Sequence, residues 1–293
     1  MQDPFGQNQK RTTMFEMFQL GFIVQAFIVS AIIGIVLAYL GIHVVRRGIV
    51  FVDLALGQIA SLGVAFADYI GRDKTAIPIA FALAGALLMS LIHIRDKRLK
   101  VEAIIGIIYA VSSAATVMLI SKSPHGDSDI QEVLFGNILS VDWAQIRYIG
   151  ILFAILALVH GVFYKKFNSL TEQFENMHRN DEDAVVPLNR GFKFWNFVFY
   201  ITIGLAIVVA VRASGVIPVF SFLIIPSVSA IMLARKNISV ILAATLISIL
   251  GAFLGLNVSY HFDFPAGSSL VAMLGAIFLL VSIIYMVKQS KMK

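Results

Sequence analysis

The sequence contains no cysteine, which excludes a disulfide framework and any thiolate metal site. Charge is scarce too: Asp, Glu, Lys and Arg make up 14% of the 293 residues, while 59% are hydrophobic. A Gly-rich phosphate loop, a Ser/His/Asp arrangement and an H-E-x-x-H motif are all missing, so nothing supports an enzyme working alone. Paired intramembrane carboxylates and an internal repeat are missing as well. That weighs against a self-powered secondary transporter or a membrane enzyme.

What the chain does have is apolar length. A bilayer core about 30 Å thick needs roughly 20 mostly apolar residues per helix. About nine stretches qualify: 18–41, 48–70, 76–94, 103–120, 147–164, 194–212, 215–234, 239–259 and 268–287. A spanning backbone must satisfy its own hydrogen bonds, which helices do. The expected fold class is therefore all-α, a polytopic integral membrane helical bundle of about nine transmembrane helices in a single domain over 1–293. The first span is too long for a signal-peptide apolar region and no small-residue cleavage site follows it, so it is expected to be retained.

The 23 lysines and arginines give the orientation. Placing Arg46, Arg47, the basic run at 95–100, the loop 165–193, Arg235, Lys236 and the C-terminal lysines on one side gathers most of them there. That side should be cytoplasmic. The turn at 72–75, the segment 121–142 and the stretch 257–267 then face outward, with 130–140 either dipping into the membrane or lying on it. The net charge of +6 sits at span flanks rather than along one stripe, so lipid bilayer and not nucleic acid is the expected partner.

The loop 165–193 has a pattern of its own. Ser169 and Glu172 have the spacing of a capping box, and Leu170, Phe174 and Met177 fall at i, i+4 and i+7 of one helical face. A short amphipathic cytoplasmic helix is implied, its apolar face resting on lipid, on the protein's own helix ends or on a partner.

Several polar residues stand out against the apolar background. An ionisable group inside a span is costly enough to suggest a function, and Asp53 lies early in the second span. Pairing with Arg47 is the structural alternative. Gln58, deeper in the same span, either lines a pathway or ties two helices together. His43, His93 and His160 lie near cytoplasmic ends and read as interfacial. Outside the membrane, His125, Asp127 and Asp129 cluster, and His261 and Asp263 flank Phe262. Zinc, manganese and iron accept imidazole and carboxylate ligands, so each loop is a candidate for transient metal contact as well as an ordinary polar loop. Pro218 and Pro226 share one span, where two missing backbone donors imply a kinked or broken helix. Such helices line cavities, stay buried in protein, or simply bend to pack.

Four motifs resemble the permeases of metal-ion ABC importers. RRGIVFVDLALGQIASLGVAFA (46–67) is similar to that family's second-helix pattern RRMSLxGDALSHAxLPGVA. VLFGNILSVDW (133–143) is similar to its LFGDLLAVSW, and FLIIPSVSA, within 210–235, to its LLIIPAATA. SYHFDFPAGSSLV (259–271) completes the series.

The resemblance implies a permease subunit that pairs with a second copy around a central pathway and sits in the inner membrane. It would receive zinc, manganese or iron from an extracytoplasmic binding protein. A cytoplasmic ATPase pair would hold ATP and Mg; this chain would bind no cofactor. A coupling helix follows the fifth or sixth span in such permeases, and the segment with Ser169, Leu170, Glu172, Phe174 and Met177 occupies that position.

One departure matters. The family's Asp and His lie four apart on one helical face, where they could hold a metal. Counting forward from Arg47 places Asp53 at the Asp and Gly57 at the His; counting back from Gly63 places Leu54 and Gln58 there. The registers differ by one residue, equivalent to about 100° unless a π-bulge absorbs it. Neither Gly57 nor Gln58 replaces the histidine as a ligand, so a metal chelate or another solute is the alternative cargo.

Overall fold

The computed structural model describes residues 16–72, 75–92, 101–122, 131, 133–179 and 190–290, with 177–179 as backbone alone. The described residues form no strand. After a 3-10 turn at Glu16–Gln19 come α1 (Gly21–Arg46), α2 (Val52–Tyr69), α3 (Ala76–Leu91) and α4 (Val101–Ile120). A second 3-10 turn, Ile138–Ser140, precedes α5 (Trp143–Val162), α6 (Tyr164–Arg179) and α7 (Arg190–Ser214). The last three are α8 (Val216–Leu233), α9 (Asn237–Phe262) and α10 (Ala266–Ser290).

Each of the nine expected spans contains a helix, and α6 is the amphipathic addition. Seven of them, α1, α4, α5, α7, α8, α9 and α10, are long and apolar enough to cross a membrane. The other two fall outside that class for different reasons. α3 is apolar but has only 16 residues, whereas α2 has 18 residues but carries Asp53, Gln58 and Asp68, which dilute its apolar character.

α1 is the axis of the bundle, packing against α5, α6, α8 and α9, while α2 packs against α3, α4 and α7. Lipid tails are as apolar as leucine, so helices associate in a membrane through close backbone approach rather than by escaping water. Gly34 and Gly41 provide it on α1. A Cβ at Gly41 would overlap the Leu223 carbonyl of α8, and one at Gly34 would overlap Ser248 of α9. Beside Gly41, the Ser227 hydroxyl reaches Leu223 O at 2.6 Å and crosses to Ala38 O on α1 at 2.8 Å.

α8 is continuous through both prolines. Pro218 lies in its first turn, where the backbone N–H would have no helical partner anyway. Pro226 is interior and releases one carbonyl in the middle of the helix. The chain instead breaks at Gly215, a single residue at φ 82° between α7 and α8. A side chain would strain that backbone.

Candidate translocation and coupling site

α2 buries three polar residues, Asp53, Gln58 and Ser61. It is regular α-helix from end to end, so no π-bulge absorbs the one-residue disagreement with the family pattern. Asp53 and Gly57, four apart, therefore share one face. Asp53 is 2% exposed. Its Oδ1 accepts from the Leu54 N–H at 2.8 Å, and its Oδ2 has no partner. The position in the first turn places the carboxylate at the positive end of the helix dipole, where a negative charge is favoured. Gly57 faces an apolar wall: a Cβ there would lie 3.4 Å from Val216, 3.6 Å from Val211 and 3.8 Å from Ile207. Gln58 and Ser61 are buried, the latter with an unpartnered hydroxyl.

Arg47 is not the partner of Asp53. Its guanidinium stacks on Phe199, with Cζ 3.6 Å from the ring centre, and stands 5.4 Å from Phe174. Nε donates to Thr171 Oγ1 at 3.1 Å, while Nη1 and Nη2 have no hydrogen-bond partner. Burial pushes its pKa down to about 9, which leaves it protonated at neutral pH. Aromatic faces attract such a cation when water is excluded.

The second assembly is a clasp of three glycines. A Cβ at Gly136 would overlap Ser214, one at Gly215 would overlap Gly136, and one at Gly267 would overlap the Phe135 carbonyl. Gly136 and Gly215 also hold φ of 67° and 82°. Residues 133–136 are thus pressed between the α7–α8 junction and the start of α10. Val216, next to the clasp, is the residue that meets Gly57 of α2. All four motifs that carry the family resemblance therefore converge at one place. Pro218 lies in that first turn of α8 and is buried, as is Pro226 two turns on.

The third assembly is α6. It begins at Tyr164, directly after α5, so Ser169 and Glu172 are mid-helix and form no capping box. Their side chains bond within the helix instead, Glu172 Oε1 to Asn168 Nδ2 at 2.8 Å and Ser169 Oγ to Gln173 Nε2 at 3.4 Å. Phe167, Leu170 and Thr171 are buried against the protein's own helix ends. Phe167 stacks on His160 at 4.0 Å, and His160 Nε2 meets Thr202 Oγ1 at 3.0 Å. Thr171 Oγ1 lies 2.8 Å from His43 Nδ1. One hydroxyl thus accepts from Arg47 and also pairs with His43. Phe174 is half-buried, 5.4 Å from the Phe192 ring. Ser169 and Glu172 face outward.

His43 and His160 are consequently not interfacial; they are 3% and 2% exposed. His93 lies outside the described residues, as do His125, Asp127 and Asp129 and the side chain of Met177. Phe167 and Thr171 were legible in principle, because 167, 170, 171 and 174 form a complete i, i+3, i+4, i+7 face that starts two residues before the apparent cap.

His261 and Asp263 are exposed at the end of α9, with His261 Nδ1 on Asn257 O at 2.9 Å and Asp263 in the left-handed region at φ 55°. The start of α9 is tied to the end of α1 through Asn237 Oδ1, which accepts from Arg46 Nη1 at 2.9 Å. α9 runs from Asn237 to Phe262 and so carries His261 about 36 Å away, to the face opposite Asp53. Among the described residues no group of three or more His, Cys, Asp or Glu gathers to hold a metal.

A multi-pass bundle of apolar helices, with buried polar residues on α2 and an amphipathic helix docked at one end, is the architecture of a polytopic membrane protein. The chain belongs to the ABC 3 transport family, which it matches over residues 19–285. It is 28% identical over 263 residues to the manganese transport system membrane protein MntC of Listeria innocua, covering 89% of this chain and 90% of that one. Identity is also 28% over 278 residues with the manganese import system permease protein ScaB of Streptococcus gordonii, covering 93% and 94%. The solved structure of PsaBC from Streptococcus pneumoniae in complex with Fab has the same fold. It superposes with a TM-score of 0.75 at 24% identity, over 92% of this chain and 95% of that one.

Proposed function

We propose that this chain is the permease of an ATP-driven importer that moves a divalent metal ion, manganese, iron or zinc, into the cytoplasm. The family match over 19–285 carries this reading, together with relatives named for manganese transport over nine-tenths of their length. Two copies surround the pathway in the inner membrane, and an extracytoplasmic binding protein delivers the ion. The loop 165–193 and the C-terminus lie in the cytoplasm, where a separate ATPase pair binds ATP and Mg.

Within that reading, Asp53, Gln58, Pro218 and Pro226 serve the pathway. Asp53 supplies a carboxylate that avoids its full burial penalty only when the pathway opens to water. His261 and Asp263, with His125, Asp127 and Asp129, act as transient oxygen and imidazole contacts at the outer mouth. On α6, Ser169, Glu172 and Met177 meet the ATPase, while Leu170 and Phe174 hold the helix to the permease. Gly57 against three apolar side chains, where a histidine would stand in the family pattern, favours a second reading in which the ion travels as a chelate.

The test is ATP-dependent uptake in proteoliposomes containing the permease, its ATPase and its binding protein. Accumulation of manganese, iron or zinc above an ATP-free control supports the first reading. Uptake only with a chelator supports the second, and no metal accumulation in either form overturns both.

A further inference from the structure

Over the half of α1 that leads to Arg46, between α5 and α9, lies a cavity of about 220 Å³. Val36 and Leu40 form its floor, Leu156 and Gly161 one wall, and Ile241 and Thr245 the other. A smaller cavity shares Tyr39, Tyr164 and Ile241 with it and adds Arg46 at its mouth. The groove thus runs from apolar to cationic, the profile of an amphiphile. Lys165 and Lys236, both exposed, adjoin the lining residues Tyr164 and Asn237 in sequence. Tyr39 lines both regions, and His160 lines the larger one. A helix 10–12 Å across is too wide for such a space, and an acyl chain is not.

We propose that this groove binds one anionic phospholipid of the cytoplasmic leaflet. Its acyl chain lies along α1 past Tyr39 and His160, and its phosphate meets Arg46 with Lys165 and Lys236. Basic pockets between helices on the cytoplasmic side select anionic headgroups by charge. The leaflet assignment rests on the orientation proposed above; the experiment reads lipid rather than transport, so the two fail separately.

The test uses the full-length protein in nanodiscs of equal phosphatidylglycerol and phosphatidylcholine, followed by native mass spectrometry of retained lipid. Wild type should retain phosphatidylglycerol in preference. A Cβ at Gly161 meets nothing within 4 Å, so Gly161→Phe fills the groove without displacing backbone and should lose the bound lipid. Arg46→Gln should keep a lipid while its preference for phosphatidylglycerol falls about fivefold, the effect of one juxtamembrane cation. If Arg46→Gln is not recovered folded, the Lys165→Gln, Lys236→Gln pair gives the same charge readout. Unchanged retention in Gly161→Phe, no headgroup preference in wild type, or a preference unmoved by charge removal would overturn the proposal. A changed oligomeric state in Gly161→Phe with lipid retained would overturn it too.

Discussion

Arg47 and Asp53 have opposite charges, lie six residues apart and are both buried, yet they do not bond to one another. Arg47 rests on Phe199 and Thr171, and Asp53 on its own helix N-terminus. Removing one charge therefore strands no partner. Asp53→Asn should reach wild-type yield with reduced metal uptake, and Arg47→Met, which keeps the stem against Phe199, should also fold. In a double-mutant cycle read from thermal stability in detergent, the coupling between them should stay within about 0.5 kcal/mol, as for independent sites. A coupling of several kcal/mol, the signature of a broken buried pair, would show that they are joined after all.

The glycine clasp makes a sharper stability prediction. Gly136→Ala and Gly215→Ala each place a Cβ into backbone at positive φ, and should each cost more than about 3 kcal/mol, well into the tail for single substitutions. Gly106→Ala in α4 is the control, since a Cβ there meets nothing within 4 Å; it should be neutral or add about 0.5–1 kcal/mol. Melting temperatures of the three purified variants decide the matter, and equal losses would dissolve the distinction.

On α6 the two faces should separate folding from coupling. Leu170→Asp puts a charge where the side chain is 3% exposed and should lower the recovered protein. Glu172→Lys changes only an outward residue. Its yield should be normal, while permease-dependent stimulation of the ATPase falls severalfold. Normal stimulation in Glu172→Lys would remove this face from the coupling surface.

The absence of native cysteine makes orientation directly measurable. A cysteine at Ser128 should react with an impermeant thiol reagent in intact cells, and one at Asn180 should be protected until the membrane is opened. Labelling at Asn180 in intact cells would invert the topology and remove α6 from the cytoplasm.

Apolar length alone located the helices, because a membrane imposes nearly the same requirement on every span. Local polar patterns were less informative. Ser169 and Glu172 match a capping box by spacing, but bonds to Gln173 and Asn168 satisfy them within a helix already under way. A genuine box stands at α5, where Asp142 accepts from the Gln145 N–H at 2.7 Å. The apolar span read from the sequence starts only at 147, past this box. Burial of His43 and His160 depends on Thr171, Thr202 and Phe167 arriving from other helices, which no local pattern encodes. The same holds for Gly136, Gly215 and Gly267, whose need to be glycine arises only when distant segments meet.

The tie through Thr171 has a mechanical consequence. Its single hydroxyl joins α6 to His43 in the last turn of α1 and to Arg47 just beyond it. α1, 26 residues long, is a rod of about 39 Å. Tilting that rod by about 5° from its Arg46 end would sweep its far end sideways by about 3 Å. A small push on α6 is thereby geared up into a displacement the size of an ion's coordination sphere. Spin labels at Gln19 and Asn180 would register that leverage as a distance change between nucleotide states, and an unchanged distance across the cycle would show that the rod does not swing.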